Sequence, residues 1–291
     1  MELQINPRCV TTRFWVGEWR TPVIMVDDYL ANAEALREYA LSLSYGPSGD
    51  SYPGLTAQAT LAGGGTSARW IGDQMIAQLF DDRPPHITTA GYGSNVCRFA
   101  VMACNPARLP KLYLDQHADS TKRWLATVLH LSHDTDGRGT ALWQHRPSGM
   151  QSWFSGDALH IKLLESLNLG LHVSPQLDEA LRRVPVRSAE ELSRLLFRSN
   201  NGRKPFSAAE DSEWHLLHFV AARFNRLVVY PTWQIHSLVD EFAQKSISVE
   251  TMRLTMNQYV DYPVPTELGL SGSRPTYSPD AYTVVPGLCT C

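Results

Sequence analysis

The feature that most constrains this chain is a set of short segments rich in β-branched and aromatic residues, set on either side of a tract with helical spacing. The strand-like segments are 95–103, 123–132, 140–145, 227–230, 246–251 and 253–260. Between the third and fourth, apolar residues three and four apart predict helices over 159–167, 177–182, 189–197 and 208–224. Strands that must bury one face, interrupted once by helices, predict a mainly β fold with helices (α+β): an antiparallel barrel or sandwich with a helical insertion. Ahead of them, 21–26 reads as a strand, Asp27 and Asp28 stand where an N-cap belongs, and Leu30, Ala33, Leu36, Tyr39 and Leu41 predict a helix over about 29–43. Residues 44–80, rich in Gly, Ser, Pro and Thr and including Gly63, Gly64 and Gly65, are expected to form a loop over a site.

Composition narrows the function classes. With 26 Lys and Arg against 29 Asp and Glu, the net charge is -3. No bulk field therefore favours nucleic acid or anionic lipid. The longest apolar runs fall far short of the roughly 20 residues of a membrane helix. The first 30 residues, broken by Arg8, Arg13, Glu18 and Arg20, do not read as a secretion signal, so a cytoplasmic protein is expected. Cys9, Cys97, Cys104, Cys289 and Cys291 are odd in number and scattered, as expected of reduced thiols. The chain holds no nucleophile elbow, phosphate-binding loop or dinucleotide fingerprint, so hydrolase, kinase and Rossmann functions have no residues to rest on.

One constellation carries chemistry. In Gln116-His117-Ala118-Asp119 an extended backbone turns His117 and Asp119 to the same side, presenting an imidazole and a carboxylate to one point. Alone this means little, because chance supplies about 0.5 such tripeptides in a chain with ten His. Far downstream, the apolar run 227–230 leads to His236, and seventeen residues later Arg253-Leu254-Thr255 opens the last strand with Arg253 and Thr255 on one face. Other pairs have plainer explanations. His130 and His133, three apart in a strand, face opposite ways; His215 and His218 sit in a helical, core-packing pattern; and Asp134-Thr135-Asp136-Gly137 reads as a hairpin turn rather than a calcium loop.

The ordered set H-x-D, distant His, R-x-T resembles the prolyl-4-hydroxylase-like branch of the iron(II)/2-oxoglutarate-dependent dioxygenases. Residues 124–131, the turn 134–139 and residues 139–143 resemble the strand, hairpin and strand that follow H-x-D in that family, and 23–30 resembles its strand-then-helix entry. The resemblance covers roughly residues 90–262. It implies a double-stranded β-helix (a jelly-roll, cupin-like core), supported by residues 1–90, with a helical insertion at about 150–223 and a tail at 263–291. It further implies an enzyme in which His117, Asp119 and His236 hold iron(II), Arg253 and Thr255 hold the cosubstrate 2-oxoglutarate, and O2 completes the reactants.

These residue types suit that chemistry. Two imidazoles and one carboxylate leave positions open on an octahedral iron. An Arg offers a carboxylate two parallel hydrogen bonds that a Lys does not. Because Asp119 supplies the carboxylate ligand, the halogenase variant of the family is disfavoured. The expected activity is hydroxylation of an unactivated C–H bond in a small molecule: an amino acid, a small or cyclic peptide or another secondary metabolite. Succinate and CO2 would be the by-products. Arg98, Trp124, Trp143 and Trp233 are the candidates for substrate contact, with Asn95 and Tyr113 as further candidate lining and Arg98 and Arg146 as candidate anchors for a substrate carboxylate. The competing expectations are a cupin-like metal- or ligand-binding barrel without turnover, and a hydroxylase that modifies protein.

Overall fold

The computed structural model describes residues 1–18, 21–47, 54–79, 96–102, 124–146, 151, 208–212, 214–232, 234–240 and 252–261. The helices expected at 159–167, 177–182 and 189–197, the strand at 246–251, the tail, and Cys104, Cys289 and Cys291 lie outside these residues.

β1 (Val10–Val16) and β2 (Thr21–Asp27) pair antiparallel, with Val10 opposite Asp27 and Val16 opposite Thr21. The helix that follows, α1 (Ala33–Leu41), begins after Asn32 and buries Ala33, Leu36 and Ala40. Its start is later than the Asp27/Asp28 signal implies because other partners occupy the intervening backbone. The Tyr29 N–H donates to the Asn225 carbonyl and the Leu30 N–H to Asn225 Oδ1. Asp27 is the carboxylate of a two-pronged pair with Arg226, at 2.6 and 2.9 Å.

The described residues of 44–80 are not a loop. They form β3 (Gly46–Pro47), β4 (Leu55–Thr60) and the 16-residue α2 (Gly64–Leu79). The small residues that read as loop punctuation serve close packing. Ser67 is fully buried and bridges Tyr29 Oη, at 2.7 Å, and Gln258 Oε1, at 3.0 Å. Gly63 reverses the chain into α2 at φ +77, where a Cβ would stand 2.6 Å from the Leu3 carbonyl oxygen.

β5 (Val96–Met102), β6 (Trp124–His130) and β7 (Arg138–His145) follow, then β8 (Trp214–Ala221), β9 (Leu227–Pro231), β10 (His236–Asp240) and β11 (Arg253–Asp261). Among the described residues the strands form two antiparallel sheets: β1-β2-β9-β6-β11-β5-β4-β3 and β10-β7-β8. The segment 134–139 holds a turn, with Gly137 at φ 62, but it is not the expected hairpin. β6 pairs with β9 and β11, and β7 with β10 and β8, so the turn carries the chain from one sheet to the other. The passages from β8 to β9 and from β10 to β11 also change sheet.

The expected helix over 208–224 is instead strand β8. Its pairing with β7 skips a residue: Leu142 faces His218 and Trp143 faces Leu216, leaving Leu217 as a bulge. One extra residue in a two-residue alternation gives the three-and-four spacing of a helix, which is why the apolar pattern misleads here. His215 and His218 therefore belong to a strand.

Two cores flank the first sheet. One face packs Phe99, Val101, Leu125, Leu129, Leu254 and Met256 against Leu36 and Ala40 of α1 and Ala68, Ile71 and Met75 of α2. The other face packs Val23, Ala126, Val228 and Tyr230 against Leu142 and Val220 of the second sheet. Alternation along each strand decides which residues enter the space between the sheets.

Candidate functional site

β11 sorts its residues cleanly. Leu254, Met256 and Val260 enter the helix-covered core, so Arg253, Thr255 and Asn257 face the inter-sheet side. Register extends that face. Arg253 lies opposite Met102, Thr255 opposite Ala100 and His130, and Asn257 opposite Arg98 and Val128. From Thr255 along β11 to Tyr259, whose row crosses Ala126 to Tyr230, the span is about 14 Å at roughly 3.4 Å per residue. The inward surface thus passes from polar at the Arg253 end to apolar around Ala126, Val228 and Tyr230.

The polar end is buried and incompletely bonded. Arg253 is 6% exposed, Thr255 0% and His130 2%. Arg253 Nε, Thr255 Oγ1, Asn257 Oδ1 and His130 Nε2 have no hydrogen-bond partner among the described residues. Among those residues no carboxylate pairs with Arg253. Burying a guanidinium without a counter-charge is costly, and buried polar atoms left unbonded cost more. His130 stays neutral in this setting: burial, then the nearby charges of Arg253 and Arg226, push its pKa well below the usual histidine value.

His236 enters the same space from the second sheet. It pairs opposite Leu142, whose side chain is in the inter-sheet core, and its ring centroid lies 4.8 Å from that of Tyr230. His236 Nδ1 is 2.7 Å from the Gln234 carbonyl oxygen. A carbonyl only accepts, so Nδ1 carries the proton it donates, which leaves Nε2 as the ring nitrogen able to act as a ligand. The carbonyl is itself fixed, because the Gln234 side-chain amide donates to the carbonyls of Gln151 and Ile235 and the Ile235 N–H also donates to Gln151. This is the arrangement by which a protein orients a metal-binding imidazole.

The other sequence candidates are distributed unevenly. His117, Asp119, Trp233, Asn95 and Tyr113 lie outside the described residues, and Trp124 opens β6. Arg98 is partly buried on the inward face, opposite Asn257 and Gln58. Trp143 is fully buried, but its indole N–H donates to Ser237 Oγ at 2.8 Å, on the face of the second sheet away from His236. Arg146 is on the surface, paired with Glu210, which also meets His215 Nδ1 at 2.9 Å. His218 meets Phe14 with ring centroids 4.6 Å apart at a 50° tilt but remains exposed, and partial desolvation lowers its pKa. Among the described residues no three His, Cys, Asp or Glu side chains are grouped to hold a metal. Likewise, no helix there is long and apolar enough to cross a membrane.

Sequence reasoning missed His130 and Asn257. The alternation of 253–260 already put Asn257 on the face of Arg253 and Thr255, a usable signal. His130 had none, because only the pairing of β6 with β11 brings it beside Thr255.

Comparison with curated proteins finds no match. Among solved structures the chain is similar to SnoK, a non-heme alpha ketoglutarate dependent carbocyclase from nogalamycin biosynthesis. The identity is 11% and the TM-score 0.37, over 82% of this chain and 79% of that one. At the level of sequence families, the match runs over residues 7–160 and covers more than half the chain. The chain belongs to DUF6445, a family of unknown function.

Proposed function

We propose that this protein is a non-haem iron(II)- and 2-oxoglutarate-dependent dioxygenase that hydroxylates an unactivated C–H bond of a small molecule. The observation that carries the reading is the buried inward face of β11. There Arg253 and Thr255 hold polar atoms with no partner among the described residues, and no carboxylate there offsets the guanidinium. A dicarboxylate with one end at Arg253 would supply the missing charge and accept the Thr255 hydroxyl. The sheet-changing connections and the two-sheet order support a jelly-roll core as the frame.

His236 fits an iron site because its Nδ1 proton is held by the Gln234 carbonyl, which makes Nε2 the ring nitrogen that would serve as ligand. His117 and Asp119 would complete the facial set of two imidazoles and a carboxylate. Bound iron(II) would supply activation of dioxygen coupled to decarboxylation of 2-oxoglutarate to succinate and CO2. The residues of this chain do the rest. Arg253 and Thr255 fix the distal carboxylate, Gln234 holds the His236 ring at one angle, and Tyr230, Val228 and Leu142 keep the interior apolar and dry. An amino acid, a small or cyclic peptide or another secondary metabolite is the proposed substrate.

The test is anaerobic addition of iron(II) and 2-oxoglutarate, watched for the visible charge-transfer absorption of a chelated 2-oxo acid. The band should appear in the wild type, vanish in His236→Ala and require about a hundredfold more 2-oxoglutarate in Arg253→Ala, which loses a charge-assisted bidentate contact. A folded, iron-loaded wild type that shows no band and makes no succinate from 2-oxoglutarate in air would sink the reading and leave a binding barrel.

A further inference from the structure

We propose that His130 is a third ligand of the distal carboxylate of the cosubstrate, its Nε2–H donating beside Thr255 to the anion that Arg253 neutralises. This deepens the proposed function and rests on it. The antiparallel pairing of β6 and β11 sets His130 opposite Thr255, so both side chains leave the sheet on the inward face, one residue pair away from Arg253. The His130 side chain is buried, and its Nε2 has no hydrogen-bond partner among the described residues. The backbone of His130 is already committed, its N–H to the Arg226 carbonyl and its carbonyl to the Asn225 N–H, which anchors the ring in place.

Charge favours this role over an ion pair. Arg226, the other cation near the ring, is already compensated by Asp27. Arg253 lacks such a carboxylate among the described residues, and a neutral imidazole beside it adds a donor without adding repulsion. A carboxylate oxygen accepts more than one hydrogen bond, so Arg253, Thr255 and His130 do not compete for it. Two donors from adjacent strands and a guanidinium from the end of one of them define a site for the end of a linear dicarboxylate. A monocarboxylate 2-oxo acid leaves that site unfilled.

The test is calorimetric titration of anaerobic, iron(II)-loaded protein with 2-oxoglutarate and, separately, with pyruvate, which has the 2-oxo acid head but no distal carboxylate. His130→Leu and the more pliable His130→Met should weaken 2-oxoglutarate binding about tenfold or more and leave pyruvate binding unchanged. His130→Gln, which keeps an N–H donor, should recover most of the loss. Unaltered 2-oxoglutarate affinity in the Leu and Met variants, or equal weakening of both ligands, overturns the role of His130 while the oxygenase reading stands. A wild type that binds neither ligand overturns both.

Discussion

Histidines that this fold buries in neutral form make its stability depend on pH. His145 is 3% exposed, packs its ring against Trp214 at 4.9 Å, and has a pKa lowered from 6.5 to about 4, chiefly by burial. His130, also buried, shifts in the same direction. In the unfolded chain each takes up a proton near pH 6.5, whereas the folded chain refuses it until lower pH. The stabilisation is therefore complete above pH 6.5 and is lost as pH falls toward about 4. For His145 alone the loss by pH 5 is about 2 kcal/mol. We expect the denaturant midpoint to fall between pH 7 and 5, and less steeply in His145→Gln than in the wild type. An equal slope in the variant would show that His145 is not held neutral.

At the scale of elements, the joint between α1 and β9 depends on one side chain. Asn225 adopts φ 61, donates from its amide to the Leu30 carbonyl and accepts from the Leu30 N–H, both at 2.9 Å, while its own carbonyl accepts from Tyr29. Asn tolerates the left-handed region better than most residues, and here its amide satisfies a buried donor and acceptor together. Asn225→Ala should lower stability by about 3 kcal/mol, through two orphaned backbone groups and a strained φ. Asn225→Gly should recover about 1 kcal/mol of that by relieving the backbone alone. Equilibrium unfolding of the two variants separates the contributions; indistinguishable values would mean that the φ carries no strain.

Element type was legible where β-branched and aromatic residues cluster in short segments, as in β2, β5, β6, β9 and β11. It failed where a bulge or close packing altered the pattern. Leu217 made β8 resemble a helix, and the small residues of α2, chosen to let Ser67 sit between Tyr29 and Gln258, resembled a loop.

At the scale of the whole molecule, the proposed anion site couples ligand to stability. If 2-oxoglutarate completes the charge of a buried Arg253, binding belongs to the folded state only. At a hundred times the dissociation constant it should then add about 2.7 kcal/mol. A thermal scan of iron-loaded wild type should show a clear rise in Tm with 2-oxoglutarate, and Arg253→Ala, only half-saturated at the same concentration, should gain about 0.4 kcal/mol and a correspondingly small rise. An equal rise in both would place the ligand elsewhere.

The sequence by itself determined the chemistry on offer. The residue types in H-x-D, His236 and R-x-T state what kind of ligand and metal such a site would take, and alternation sets Arg253, Thr255 and Asn257 on one face, because side-chain direction in a strand is a local property. Tertiary structure decided which strands are neighbours, and hence that Thr255 meets His130 across the β6–β11 pair and that β6 and β7 part into separate sheets. Strand pairing is a contest among distant segments for the same backbone hydrogen bonds, settled by which faces can be buried together, and no local window of sequence records its outcome.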